Sequence, residues 1–185
     1  MKTLRVGVVG LGRIGRIHFS NLARQVPGAI LVAAADPFSD ARAFAEDQNV
    51  ATYASFEELL GHPDIDAVVI CSPTDEHAAH VIAAARAGKH IFCEKPLDLS
   101  IDRVRETLDI VKEMGVELML GFNRRFDPHF AKVKALVDEG KVGDTHMIRM
   151  TSRDPAPPPI EFIRHSGGLF LDMTIHDFDM ARHLA

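Results

Sequence analysis

Cysteine is scarce: the 185 residues contain only Cys71 and Cys93. A disulfide framework is therefore excluded as the organising principle, and a reducing compartment fits. Both cysteines lie in apolar runs, IDAVVICS and KHIFCE, and read as small buried hydrophobes of core strands. A basic block is also lacking. With 21 Lys and Arg against 26 Asp and Glu, the formal net charge is -5. Nothing neutralises a row of phosphates, so no nucleic-acid partner is expected. No apolar stretch approaches the roughly 20 residues that span a bilayer, so no membrane partner is expected. The opening MKTLRVGVVGLGRIG puts basic residues before apolar ones, as a leader peptide does. Gly7, Gly10 and Gly12 break that run and Arg13 follows, so it reads as a strand entering a turn. A cytoplasmic protein is expected. The ten histidines form no tract, and no internal repeat occurs.

What is present is the composition of a globular protein, 46% hydrophobic and 25% charged. The length suits one domain, or one domain with part of a second. Short apolar runs alternate with helical stretches through residues 1–121. The runs are 4–10, 29–36, a short one in VATYAS, 66–72, 90–94 and 116–121. The helical stretches fall near 14–25, 39–48, 56–60, 75–87 and 100–114, and Gly61, Gly88 and Gly115 stop the last three. Strands buried on both faces and separated by helices predict a parallel, doubly wound α/β sheet.

The pattern changes in 122–185. A helix is predicted over 127–139, a strand over 144–152, a proline loop around Pro155 to Pro159, and a helix from about 168 to 185. A lone strand is not a stable sheet. These residues therefore read as the start of an incomplete α+β second domain, and the chain is expected to be a truncation. An unfinished apolar face would favour self-association.

Gly10-Leu11-Gly12-Arg13-Ile14-Gly15 matches G-x-G-x-x-G, directly after a strand and at the start of a helix. In this context Gly10 allows the tight turn, Gly12 lets a pyrophosphate approach the backbone and Gly15 lets helix and strand pack closely. The helix N-terminus, with Arg13 and Ile14 in its first turn, attracts the anion. Asp36 ends the second strand about twenty residues beyond, where a carboxylate grips the ribose hydroxyls and repels a 2′-phosphate. These features predict a dinucleotide-binding Rossmann domain over 1–121 with NAD as cofactor. Ser72, Pro73, Thr74 and His77 follow the fourth strand and would line the same crevice. Thr74 and Asp75 serve equally as helix caps, and the two readings are compatible.

Glu94-Lys95-Pro96 follows the fifth strand. Lys95 at a strand end could donate to a substrate hydroxyl and favour the alkoxide that develops as hydride leaves. It could equally be a surface lysine in a turn. Pro96 restricts its backbone, and the sequence leaves open the isomer of the Lys95–Pro96 bond. Asp172 and His176 sit four residues apart in the last predicted helix and share a face. Histidine suits the proton acceptor that alcohol oxidation needs, although a capped helix with a satisfied histidine fits the spacing as well. Asp177 and Asp179 read as helix-surface charges. No metal is expected, because no third ligand joins Asp172 and His176.

Taken together, GLGRIG, Asp36, SPTDEHA, AGKHIFCEKP, GFNRRFDP and SGGLFLDMTIHDFDMARHL resemble the Gfo/Idh/MocA oxidoreductases over essentially the whole chain. GFNRRFDP and TSRDPAPPP look most like its myo-inositol 2-dehydrogenase branch. The resemblance implies an NAD-dependent enzyme that oxidises a secondary hydroxyl of a cyclic polyol, most simply myo-inositol to its 2-keto form. Another inositol isomer, a sugar, or a non-catalytic NAD-binding role are the alternatives. It implies Lys95, Asp172 and His176 as the catalytic set, with His176 as general base, and Glu94 and Lys95 beside the cofactor. It implies Asn123, Arg124, Arg153 and Asp154 near the substrate. Family members continue past residue 185, complete the second domain with a large sheet and build their oligomer interface from it. The implied parent is a homo-oligomer, and the 185-residue chain is expected to bind NAD but turn over poorly.

Overall fold

A computed structural model of the protein describes residues 3–153, 156–160, 163 and 166–185. The chain divides into two compact units, Met1–Leu120 and Gly121–Ala185.

The first unit is built on one sheet of β1 (Leu4–Val9), β2 (Ala29–Ala35), β3 (Ala51–Tyr53), β4 (Ala67–Ile70), β5 (His90–Cys93) and β6 (Leu118–Leu120). Its strand order is β3-β2-β1-β4-β5-β6, and every pairing is parallel. The connecting helices are α1 (Arg13–Arg24), α2 (Ser39–Glu46), α3 (Phe56–Leu60), α4 (Thr74–Arg86) and α5 (Ile101–Met114). The strand side chains decide how these helices divide. Val6, Val8, Ala34, Val69 and Cys71 point to one face and pack with Phe19 of α1 and Ala45 of α2. Val9, Ala33, Ala35, Val68, Ile70 and Cys93 point to the other, against Phe56 and Leu59 of α3, Val81 and Ala84 of α4, and Val111 of α5. The order of winding reverses between β1 and β4, which opens a crevice at the carboxyl ends of those strands. Ala33, Ala34 and Ala35 of β2 are fully buried and put small side chains into the packing on both faces. Phe19 is fully buried; truncating a side chain of that size to alanine costs about 3–5 kcal/mol.

Local signals set most helix ends. Ser55 caps α3 by accepting from the Glu58 N–H at 3.2 Å. Gly115 closes α5 in the left-handed region at φ 66°. The capping role expected of Thr74 and Asp75 is not found. Pro73 occupies the cap position, with no side-chain hydrogen bond, and Thr74 is already the first helical residue. Proline's fixed φ makes it a ready entry to a helix, so the cap moved one residue toward the strand.

The second unit contains a 3-10 turn, Asn123–Phe126, and α6 (Pro128–Asp138). Asp127 caps α6 by accepting from the His129 and Phe130 N–H groups, and Pro128 fills its first position. A π-helical segment, Phe170–Thr174, runs directly into α7 (Ile175–Leu184). The strand predicted over 144–152 does not form. These residues pair with no strand among the described residues, and Met147 stands 87% exposed. The alternating sequence suits a strand, but extended backbone becomes a strand only when a neighbour takes its hydrogen bonds.

Candidate active site

The glycine-rich turn leaves β1 and enters α1 at the crevice. Gly10 adopts φ +85°, and a Cβ there would lie 2.5 Å from the Cys71 carbonyl oxygen. A Cβ on Gly15 would lie 1.7 Å from the Gly10 carbonyl oxygen, so helix and turn are in direct backbone contact. A Cβ on Gly12 would meet nothing within 4 Å. Gly12 is the N-cap of α1, and no side chain caps it. The first N–H groups of α1 therefore face open space, which suits a pyrophosphate. Arg13 and Ile14 lie exposed in that first turn.

Asp36 is 6% exposed. One carboxylate oxygen accepts from the Leu11 N–H at 2.7 Å and the other from the Phe38 N–H at 2.9 Å. Each oxygen keeps a second acceptor position for a ribose hydroxyl. Two arginines absent from the sequence reading brace this corner. Arg16 donates to the Leu11 carbonyl at 3.0 Å and lies over the Phe44 ring. Arg42 donates to the Asp36 carbonyl at 2.7 Å and to the Pro37 carbonyl at 3.0 Å. An arginine one helical turn beyond a strand-end loop is the signal that could have found Arg42.

The next two strand ends lie side by side. Ser72 follows β4, and its hydroxyl is 2.9 Å from His80 Nδ1. Burial lowers the His80 pKa, against a smaller opposing pull from Glu57. His77 was expected to line the cofactor crevice. Instead it is 2% exposed, with Nδ1 2.7 Å from the Pro96 carbonyl oxygen and Nε2 2.9 Å from that of Ser72. Both ring nitrogens are spent on the protein, because the ring lies on the buried face of α4 and reaches the carbonyls of two strand-end loops. Glu94 meets His18 Nε2 at 2.7 Å, and His18 also packs on Phe92. His18 was missed; it lies one turn past Gly15, on the face of α1 that meets the strand ends. Lys95 is half-buried, and the peptide bond to Pro96 is cis. Burial pushes the thiols of Cys71 and Cys93 far up, so both stay neutral.

The second unit carries Asp172 in the π segment and His176 at the start of α7. Single π turns recur at functional sites. Phe122 presents its ring edge-on to His176 at 6.4 Å. Asn123 opens the 3-10 turn. Arg124, expected near the substrate, is engaged within the unit. Its guanidinium donates to Asp177 Oδ1 at 2.5 Å and to the Ser152 hydroxyl at 3.2 Å, and it lies over Phe130. Asp177 and Asp179 are not the surface charges expected. Ser152 donates to Asp177 at 2.6 Å. Burial pushes Asp177 up, but the hydrogen bonds from Ser152 and Arg124 outweigh it and hold the carboxyl below its ordinary range. Arg125 grips Asp179 with two bonds, at 2.8 and 2.5 Å, and Asp179 is 8% exposed. Adjacent arginines on a 3-10 turn face carboxylates two residues apart on α7, a pairing that sequence spacing does not display. Arg153 is exposed, and Asp154 lies outside the described residues.

A parallel sheet with this strand order, a glycine turn opening an uncapped helix and an acidic residue ending β2 define a dinucleotide-binding domain. Residues 4–122 match the Gfo/Idh/MocA oxidoreductase family with an NAD-binding Rossmann fold, and residues 130–185 match the Gfo/Idh/MocA C-terminal domain. The chain belongs to that family. It is 52% identical to an inositol 2-dehydrogenase of Rhizobium meliloti over 98% of its own length and 55% of the relative's. It is 51% identical to a myo-inositol 2-dehydrogenase of Thermotoga maritima, over 98% of this chain and 54% of that protein. The structure of scyllo-inositol dehydrogenase from Lactobacillus casei, solved with bound NAD(H) and scyllo-inositol, superimposes with a TM-score of 0.92 at 40% identity, covering 100% of this chain and 56% of that one. The chain thus spans about half the length of the relatives it matches. Among the described residues no helix is long and apolar enough to cross a membrane.

Proposed function

We propose that the protein is an NAD-dependent dehydrogenase of a cyclic polyol, with myo-inositol as the substrate and its 2-keto derivative as the product. The observation that carries the reading is the uncapped N-terminus of α1 beside a carboxylate tied to the glycine turn. Relatives about half identical to the chain bear inositol dehydrogenase names. Gly10, Gly12, Gly15 and the first turn of α1 would hold the pyrophosphate, and Asp36 the adenosine ribose. Ser72, Pro73, Thr74 and Glu94 would line the rest of the cofactor crevice. When bound, NAD supplies the hydride acceptor.

Alcohol oxidation releases a hydride from carbon and a proton from oxygen. His176 takes the proton on its imidazole. Lys95 donates to the substrate oxygen and stabilises the negative charge that grows on it as its proton leaves; that charge then forms the C=O bond as hydride departs. Asp172 orients the imidazole or accepts from a neighbouring hydroxyl. Asn123 and Arg153, with Asp154, would supply further donors and acceptors. Arg124 supports the site through Asp177. The exposed Val142, Met147 and Ile148 support association of the second unit with further polypeptide, a second copy included.

Calorimetric titration with NAD, followed by myo-inositol with NADH absorbance recorded, tests the reading. Saturable NAD binding, with NADH formation by the intact protein on myo-inositol, is expected. NADH formation on scyllo-inositol alone would move the substrate to that isomer. Absence of NAD binding by folded protein would end the proposal.

A further inference from the structure

His77 is buried beneath the strand ends, and its two ring nitrogens both face backbone carbonyls, those of Ser72 and Pro96. A carbonyl oxygen only accepts. A neutral imidazole has one N–H and could satisfy one of them, leaving a lone pair directed at the other oxygen. The imidazolium donates to both. Its burial costs hydration, which the two charge-assisted bonds replace. Its place in the first turn of α4 opposes the helix dipole, and Asp75 and Glu76 of the same turn offset that.

The two acceptors belong to different strand ends. Ser72 follows β4, and Pro96 lies beyond β5, one residue after Lys95. The strands are hydrogen-bonded through Ile70 and Cys93, and the ladder ends with the Glu94 N–H donating to the Ile70 carbonyl at 3.0 Å. Beyond that point the Lys95 corner has left the sheet. The His77 ring carries the connection past the end of the ladder.

We propose that His77 is a positioning residue, a buried imidazolium that ties the carboxyl ends of β4 and β5 together and so fixes the corner carrying Lys95. The inference rests on the proposed role of Lys95. It is separate from the cofactor contacts, because both polar atoms of the ring are used inside the protein.

The test has two parts, made on the intact protein. Nitrogen NMR of the 15N-histidine-labelled protein at neutral pH, assigned with His77→Gln, should show both His77 ring nitrogens protonated and exchanging slowly with water. One unprotonated ring nitrogen would overturn the tie. In the second part, His77→Gln is assayed with myo-inositol carrying deuterium at the oxidised carbon. Turnover per NAD-binding site should fall on the order of ten- to a hundredfold, as expected for a catalytic group displaced by about 1 Å. KM for NAD should stay nearly constant, and the isotope effect should rise. A loss of turnover that only tracks lost NAD sites, with an unchanged isotope effect, would mean a structural histidine and overturn the proposal, as would full activity of the variant. Normal turnover of Lys95→Ala beside an intact NMR signature would instead remove the role assigned to Lys95.

Discussion

The Leu11 N–H donates to the Asp36 carboxylate at 2.7 Å, so the acid that ends β2 also holds the glycine turn that follows β1. One side chain thereby shapes the glycine turn and, in the proposed function, would also hold the adenosine ribose. The two duties separate by mutation. Asp36→Asn keeps an acceptor for Leu11 but loses the charge. Its preference for NAD over NADP should fall by about tenfold or more, with little change in fold, since hydrogen bonds to charged groups contribute about 1.5–3 kcal/mol. Asp36→Ala should lose the preference and also melt earlier. Dissociation constants for the two nucleotides, with thermal melts, check both variants. An unchanged ratio in Asp36→Asn would remove Asp36 from cofactor choice.

Gly12 and Gly15 should respond differently to the same methyl group. At Gly15 the new Cβ collides with backbone, the Gly10 carbonyl oxygen, which cannot swing aside. Gly15→Ala should destabilise the chain by about 1–3 kcal/mol or more, as overpacking does, and abolish NAD binding. At Gly12 the methyl group meets open space. Gly12→Ala should keep the urea midpoint and lose NAD affinity, because the methyl group occupies the approach of the pyrophosphate. If both variants bind NAD normally, the cradle lies elsewhere.

The Arg124–Asp177 and Arg125–Asp179 pairs should matter to the second unit more than their number suggests. Arg125→Ala leaves a nearly buried carboxylate without its partner. Because Arg125 is itself 41% exposed, solvent screening limits the loss to about 1–2 kcal/mol. Asp177 has a folded pKa below its unfolded value. Its stabilisation is therefore complete above the ordinary carboxylate pKa of about 3.9 and disappears as pH falls through the lower folded value. Wild type should exceed Asp177→Asn in stability at neutral pH, and the two should converge in acid. Urea titrations at a series of pH values decide this; a constant difference down to strong acid would contradict it.

His80 works in a different pH window. Burial lowers its folded pKa, so the unfolded chain takes up the proton first as pH falls past about 6.5. Stability from the neutral ring is complete above that value and declines below it. The decline between neutral pH and mild acid should flatten in His80→Gln. Parallel slopes for the two proteins would show that another group carries the effect.

How far the site was legible depended on the range of each interaction. The glycine turn, Asp36 and the strand-helix alternation are local, and the sequence displayed them because a tight turn, a helix N-terminus and a buried strand each restrict nearby residues. His18, Arg16 and Arg42 went unseen. The partner of His18, Glu94, is reached only once α1 has docked on the sheet, whereas Arg16 and Arg42 bond the nearby carbonyls of Leu11, Asp36 and Pro37, and a backbone carbonyl leaves no mark in residue type. His77 was seen but given the wrong partners, since a buried imidazole and a crevice-lining one have the same sequence signature.

By itself the sequence determined the parallel, doubly wound sheet and the glycine turn between β1 and α1, because hydrophobic period and turn chemistry are properties of short segments. The tertiary structure alone decided that residues 144–152 find no strand partner here. It likewise decided that Arg124 and Arg125 hold Asp177 and Asp179, and that His77 joins two strand ends. Each of these depends on which distant group supplies the other half of a hydrogen bond, and chain spacing carries no record of that.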